Sequence, residues 1–473
     1  MYRHDRFKRL VRFGSGAVIL AIEVALYYYI WVTHYNPLME VPFWRRGNWL
    51  LAAVYGALLL MLHYIYGGLR IGILRKGNLI YSQCLAVVVA NVFAYIELVL
   101  VDKAMHNPGM FIILTGIDFL VIVIWAFLFQ WFYNRLFPPR QLLMIYGERS
   151  VFKLMDKLNS RDDKYVLAGA MNVRSGIDRI MEEAPKYGGL VIGDLPSHDR
   201  NLILKKCYDR GIRVYMVPKI SDVLIRSSEE LNLFDSPLLL SRNDGLQVDQ
   251  IFVKRILDIV SAGLLLVLSS PLFLLFTVMI RSEDHGPVFY RQKRLTKDGK
   301  VFDILKFRTM RQDAEKDGVA RLASEGDDRI TKTGKILRAT RLDELPQVIN
   351  ILKGDMSMVG PRPERPEIAA EYRKVIPEFD LRLKVKAGLT GFAQIYGKYN
   401  TMPYDKLKLD LTYIRNYSLF LDLKLIVMTP KILFIKEKTE GVGKGETYAS
   451  LDDAVYGPRR YLDEKDGGDV KKL

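Results

Sequence analysis

The sequence predicts a membrane protein of α plus α/β class. It combines a four-TM helical bundle, a Rossmann-like α/β domain, and an α-rich C-terminal domain with a re-entrant membrane helix hairpin. Three observations predict it. Four apolar stretches of spanning length fill the segment from Gly14 to Phe132. From Leu142 to Pro218, strand-like and helix-like segments alternate. A fifth apolar run, Val253–Arg281, is interrupted at Ser269-Ser270-Pro271 and leads into a strongly basic domain.

The chain has 473 residues, room for two or three domains, and half of them are hydrophobic. Its formal net charge is +16. In a soluble chain that would suggest nucleic acid. Beside membrane segments it reads instead as cytoplasmic faces meeting anionic lipid, with sites for phosphorylated substrates, and no nucleic-acid partner is expected. The two cysteines, Cys84 and Cys207, have no metal spacing and form no disulfide framework, so a reducing compartment is expected. The basic stretch Arg3–Arg12 runs directly into an apolar segment too long for a cleavable signal peptide, so none is expected.

The spans read as Gly14–Val32, Leu50–Tyr66, Ile80–Val101 and Phe111–Phe132, within a membrane region of residues 1–140. Basic residues favour the N-terminal tail, the loop with Arg70, Arg75 and Lys76, and the exit with Arg135 and Arg140, which makes those faces cytoplasmic. Arg45 and Arg46 lie on the other side. Glu23 and Asp118, inside spans, are expected to pair within the bundle. In residues 141–228, strands at Leu142–Gly147, Val166–Val173, Gly189–Asp194 and Arg213–Pro218 alternate with helices at Ser150–Leu158, Ile177–Ala184 and Arg200–Arg210. Gly147 is followed by Glu-Arg-Ser rather than G-x-G-x-x-G, so this domain reads as regulatory or dimerising, with no cofactor. Residues 229–250 form an irregular linker.

Val253–Arg281 is apolar enough to span, but Pro271 breaks the helical ladder. A full crossing would also carry the Lys- and Arg-rich segment after it out of the cytosol. A helix–break–helix that dips into one leaflet resolves both conflicts. Gly286–Met310 alternates like two strands joined at Lys297-Asp298-Gly299, and Lys306 and Arg308 near its end are expected to face phosphate. Residues 312–328 are polar and expected to be a mobile loop.

Next come two adjacent acids, Asp343 and Glu344. Leu345, Val348, Ile349 and Leu352 follow with helical spacing, Pro346 fits the first turn, and Gly354 ends the helix. The acids therefore sit at a helix N-terminus, where the dipole keeps a carboxylate ionised and draws in phosphate. Such a pair is ordinarily a capping charge. Here Arg338 and Arg341 precede it and Arg362 follows between two prolines, with no Walker loop, which points to phosphate chemistry driven by a carboxylate. No Asp-x-Asp, H-E-x-x-H or G-x-S-x-G occurs either. Further on, Lys386–Gln394 is a loop whose two glycines allow close backbone approach to a ligand. Tyr404–Tyr417 is an amphipathic helix, Leu419–Phe434 reads as a helix lying in the membrane interface, and residues 438–473 as a flexible tail.

Leu342–Gln347 (LDELPQ), Asn350–Ser357 (N-x-L-K-G-D-M-S) and Gly360–Pro363 (GPRP) together resemble the signature of the bacterial sugar transferases, the polyprenyl-phosphate hexose-1-phosphate transferases of the monotopic phosphoglycosyl transferase superfamily. Lys306-Phe-Arg-Thr-Met, Thr390-Gly391-x-Ala393-Gln394, the Lys254-Arg255-x-x-Asp258 entry and the Ser270-Pro271 break match it as well. The resemblance implies a catalytic domain over residues 251–437 with its re-entrant helix at 253–281. It implies a UDP-hexose donor, undecaprenyl phosphate as acceptor, and the first step of exopolysaccharide, capsule or O-antigen synthesis at the bacterial inner membrane. Within that frame Asp343 is the expected nucleophile and Glu344 the expected Mg²⁺ ligand. Lys306, Arg308, Arg338 and Arg362 would bind phosphate, and Thr390, Gly391 and Gln394 the donor. Lys254 and Arg255 would anchor at lipid headgroups. A homodimer is expected. Two other classes compete: a ligand-sensing membrane regulator with a degenerate transferase domain, and a transporter, which would need more charged residues lining the spans.

Overall fold

The structure is a computed structural model and describes residues 5–148, 151–242, 245–311, 329–397 and 401–433. The expected mobile loop, 312–328, and the expected tail, 438–473, lie outside the described residues. The chain divides into two compact units between Tyr215 and Met216.

In the first unit four long helices come first: α1 (Lys8–Ile30), α2 (Arg45–Tyr66), α3 (Lys76–Asp102) and α4 (Gly109–Leu136). Each is long and apolar enough to cross a membrane. α1 continues through a π-helical turn, Trp31–Tyr35, which lets Trp31 and Tyr35 both turn inward. Small and apolar residues line the bundle interior, while Leu, Ile and Phe side chains project outward, as lipid-facing helices require. The acids inside the spans are buried and engaged. Glu23 Oε2 lies 2.9 Å from His63 Nε2, and the Asn91 amide reaches Asp118 Oδ2 at 3.4 Å.

A four-stranded sheet follows, built from β1 (Arg140–Tyr146), β2 (Tyr165–Asn172), β3 (Leu190–Ile192) and β4 (Val214–Met216) in the order β2-β1-β3-β4. β2 and β3 both run parallel to β1. Helices α5 (Phe152–Asn159), α6 (Ile177–Glu183) and α7 (Ser197–Asp209) connect them. Leu142 to Ile145 are fully buried, the pattern of a central parallel strand covered on both faces. Arg75 donates to the Ser160 carbonyl and Lys164 to that of Ile73, so the sheet is tied to the basic α2–α3 loop.

The second unit opens with α8 (Ile220–Arg226), which Arg415 holds by donating to the Ser227 hydroxyl at 2.9 Å. The expected irregular linker contains an antiparallel hairpin, β5 (Glu229–Leu233) and β6 (Ser236–Leu240). Its turn is tight, with Phe234 at φ +55°, and a left-handed phenylalanine carries no sequence signal for a turn. α9 (Val248–Asp284) then runs as one helix with Pro271 inside it. The expected interruption at Ser269–Pro271 is therefore not a loss of helix. Pro271 cannot donate to the Val267 carbonyl, and the Ser270 hydroxyl takes that acceptor at 2.8 Å. α9 is also a fifth helix long and apolar enough to span.

Both arms of α9 pack on the same unit. Lys254 and Arg255, expected at lipid headgroups, both bond groups of the same unit. Lys254 is 5% exposed, and its ammonium bonds Asp422 at 2.6 Å and the Tyr413 hydroxyl at 3.1 Å. A buried ammonium must find a carboxylate, and Asp422 on α15 (Leu419–Leu433) supplies it. Arg255 caps the last carbonyls of α11 (Gln347–Lys353), Ile351 and Leu352, at 2.6 and 2.8 Å. Asp258 accepts the Ser357 hydroxyl and the Met358 amide of β9 (Ser357–Val359) at 2.9 and 2.8 Å. At the other arm Phe276 and Ile280 join Phe307 and Leu337 in one apolar cluster. The strands β7 (Phe289–Leu295) and β8 (Val301–Phe307) form the predicted hairpin, with Asp298 and Gly299 at positive φ in its turn.

Replacing Lys254 by Met strands a buried carboxylate, at a cost of about 3–5 kcal/mol. The melting temperature of the purified protein should fall by several degrees. Lys254→Met combined with Asp422→Leu should recover most of that loss. An equal loss in the single and double variants would contradict a paired role for these residues.

Candidate active site

Asp343 and Glu344 lie in a 3₁₀ turn, Leu342–Glu344, between α10 (Lys332–Thr340) and α11. The α-helix proper begins at Gln347, so the acids stand one turn earlier than the sequence predicts, with Pro346 as the N-cap. Arg341, just before them, has φ +56°, which makes a sharp left-handed corner. Leu342 and Leu345, three residues apart, both pack into the apolar cluster of Phe276, Phe307 and Leu337. With those two leucines turned inward, the acids between them project the other way.

Three elements converge on the acids. Lys306, on β8, lies 3.0 Å from Glu344 Oε1 and 3.8 Å from Asp343 Oδ2. Arg362, in the Gly360–Pro363 loop, grips Glu344 with both terminal nitrogens, at 2.7 and 3.4 Å. Arg338, on α10, is near enough for its charge to act on Asp343, and its Nη1 is buried without a hydrogen-bond partner among the described residues. Arg308 is buried at the end of β8, and its backbone donates to the Val288 carbonyl. Asn350 locks α11 to β8. Its amide oxygen accepts from Leu305 N and its amide nitrogen donates to the Asp303 carbonyl, both at 2.9 Å.

The two acids differ electrostatically. Burial pushes the Asp343 carboxyl above its ordinary range, and the Glu344 charge adds to this, against the pull of Lys306, Arg362 and Arg338. Burial would also raise Glu344. There the Arg362 and Lys306 charges and their direct hydrogen bonds prevail and hold the carboxyl well below the usual range. The pair therefore offers one firmly ionised, cation-bound carboxylate and one more basic neighbour, 3.8 Å from Lys306. A more basic carboxylate is the better nucleophile toward phosphorus.

Thr390, Gly391 and Gln394, expected to bind the donor, also make contacts within the chain. Thr390 is buried on β10 (Gly388–Thr390), which pairs in parallel with β9, and its hydroxyl lies 2.9 Å from that of Thr429. Gln394 donates to the Leu389 carbonyl at 3.2 Å. The close approach that glycine allows is to Gly360. A Cβ on Gly388 would sit 2.0 Å from Gly360 N, and one on Gly391 2.1 Å from Gly360 O. These glycines thus seat the Arg362 loop against β10.

Several contributors carry no motif-level signal. Arg294 and Arg382 support the Arg362 loop from distant stretches of sequence. Asp410 and Asp422 read in the sequence only as polar positions in a helix, and their buried partners, Arg382 and Lys254, could not be inferred from spacing.

This arrangement of adjacent carboxylates among fixed cations, on a unit entered by a long apolar helix, defines a membrane-associated site for phosphate transfer. Residues 249–436 match the family model described as bacterial sugar transferase. The chain is 40% identical over 224 residues, 45% of its length, to a UDP-glucose:undecaprenyl-phosphate glucose-1-phosphate transferase of Caulobacter vibrioides, and covers 84% of that protein. It is 42% identical over 234 residues to an enzyme of the same name from Klebsiella pneumoniae, which is 47% of this chain and 48% of the relative. It is 36% identical over 254 residues to the UDP-N-acetylgalactosamine-undecaprenyl-phosphate N-acetylgalactosaminephosphotransferase of Aeromonas hydrophila, 50% of this chain and 57% of the relative. The chain belongs to the bacterial sugar transferase family. It spans about half the length of the Klebsiella and Aeromonas relatives.

Proposed function

We propose that this protein transfers hexose-1-phosphate from a UDP-hexose to undecaprenyl phosphate and releases UMP. The observation that carries the reading is the Asp343–Glu344 pair held between Lys306 and Arg362, in the part of the chain shared with its relatives. A carboxylate oxygen of Asp343 attacks the β-phosphorus of the donor. The bond from that phosphorus to the bridging oxygen breaks, and UMP departs with the electron pair. The result is a phosphosugar–aspartyl intermediate. An oxygen of the lipid phosphate then attacks the same phosphorus and expels the Asp343 carboxylate, which leaves the sugar on a lipid diphosphate. Arg362 and Arg338 bind phosphate oxygens through planar forks, and Lys306 acts as a point charge.

Among the described residues no group of three or more His, Cys, Asp or Glu forms a metal cage. Mg²⁺ suits this site in another way, because it commonly takes one or two carboxylates and completes its shell with phosphate oxygens and water. Glu344 would hold it, with Asp343 adjacent. When bound, the ion would offset the repulsion between a carboxylate and a diphosphate.

The reading includes a re-entrant α9 at the cytoplasmic face of the inner membrane. A straight helix would carry Phe276 about 31 Å from Arg255. Arg255 bonds the last turn of α11, and Phe276 shares a cluster with Leu345, just before the start of that helix. At the middle of α9, Val267 and Leu268 are 70% and 69% exposed, which suits a tip buried in lipid. The tie between the sheet and the basic α2–α3 loop supports a cytoplasmic sheet. The exposed apolar hairpin β5–β6 supports a homodimer.

Purified protein with Mg²⁺ and undecaprenyl phosphate should release UMP from at least one UDP-hexose, and Asp343→Asn should lower that rate by at least about a thousandfold. No release from any UDP-sugar would point to a sensor instead. Glu344→Gln should raise the Mg²⁺ concentration needed for half-maximal turnover about tenfold or more. An unchanged Mg²⁺ titration would assign the metal to other residues.

A further inference from the structure

We propose that Arg382, held by Asp410, is a positioning residue that sets where Arg362 stands. The proposal rests on the transferase reading above. Arg362 needs such support. Its side chain is 48% exposed, so no packed wall fixes it, and its place is set by its backbone and by Glu344. Pro361 and Pro363 flank it and have no N–H, so the loop cannot brace itself through those positions.

The bracing comes from outside. Four consecutive carbonyls of the loop each accept a hydrogen bond from another element. Pro361 O accepts from Gly388 N at 2.9 Å, and Glu364 O from Leu295 N at 2.9 Å. Between them, the two inner carbonyls are held by guanidiniums, that of Arg382 buried and that of Arg294 partly buried. Arg382 Nη2 donates to Arg362 O at 3.0 Å, and Arg294 Nη1 to Pro363 O at 3.1 Å.

Arg382 is the one that holds the carbonyl of Arg362 itself. It is 6% exposed and lies over the Phe379 ring, 5.2 Å from its centroid. The same Nη2 lies 2.8 Å from Asp410 Oδ2, a carboxylate that is 1% exposed. Asp410 offsets the cost of the buried charge and keeps the guanidinium beside the loop. A lysine at 382 keeps the charge but loses the planar fork. The loop carbonyl and Asp410 would then compete for a rotating ammonium. A shift of about 1 Å in the Arg362 backbone is enough to open its two-pronged grip on Glu344, and misplacement of that size costs up to about a hundredfold in rate. Arg382 therefore acts through Arg362, without touching substrate.

The test is a double-mutant cycle on the full-length protein, with UMP release as the rate and Mg²⁺, UDP-hexose and undecaprenyl phosphate as the probes. Arg382→Lys should lower kcat about ten- to a hundredfold, with the melting temperature within two or three degrees of the parent. In an Arg362→Ala background the same change should cost less than about twofold, because the group it positions is gone. If Arg382→Lys unfolds the protein, Asp410→Asn replaces it in the cycle. Equal losses in the two backgrounds, or none in either, would overturn the proposal. A second readout needs no turnover: the rate at which phenylglyoxal modifies Arg362, followed by peptide mass. It should rise severalfold in Arg382→Lys, and an unchanged rate would also overturn the proposal. Should the parent protein release no UMP, the transferase reading fails, and the labelling rate decides the positioning role alone.

Discussion

A partly buried carboxylate stays ionised only beside fixed cations, and most of the C-terminal unit serves to hold two cations against Glu344. Lys306 arrives on β8 and Arg362 on the GPRP loop, and their distances to Glu344 Oε1 are 3.0 and 2.7 Å. Neither position is local to the acids. β8 is fixed to α11 by Asn350, and the GPRP loop is seated on β10 by glycines that admit no Cβ. With Glu344 neutralised in this way, Asp343 has the weaker hold on the shared cation, 3.8 against 3.0 Å from Lys306, as the proposed nucleophile requires. Two adjacent carboxylates thus acquire different electrostatics from their surroundings alone.

The same economy governs the membrane entry. α9 carries apolar residues outward along most of its length, yet the polar side chains near its start are turned into the protein. Lys254, Arg255 and Asp258 bind α15, α11 and β9 respectively, so the apolar helix is bolted to the elements that frame the acids. On the proposed reading, the depth at which that helix sits in lipid sets the depth of the carboxylates, as a reaction joining a soluble donor to a lipid phosphate would require.

Much of this was legible in the sequence, and the failures have causes. The long spans and the parallel strands announce themselves because hydrophobic periodicity extends over many residues. The acids and Arg362 could be named because they fall in one gapped motif, and Lys306 because it opens a second one at the end of a basic hairpin. The bonds that Lys254 and Arg255 make inside the unit were not legible, because a cation at the edge of an apolar run looks the same whether it snorkels or pairs inward. Only the remote Asp422 decides between the two. The glycines of residues 386–394 lie against Gly360, a contact not legible in the sequence, since a close-approach requirement does not reveal what approaches. The β5–β6 hairpin was missed because its turn uses a phenylalanine in a conformation that sequence rules reserve for Gly, Asn or Asp.

The central claim is that Asp343 becomes covalently bonded to the phosphorus of the donor. The most direct measurement is to mix the protein with Mg²⁺ and radiolabelled UDP-hexose without lipid acceptor, quench in acid, and map the adduct by peptide mass. The account predicts a hexose-phosphate mass increment on the peptide that holds Asp343, lost when undecaprenyl phosphate is added before the quench and absent in Asp343→Asn. Full turnover with no adduct, or an adduct on another residue, would contradict it.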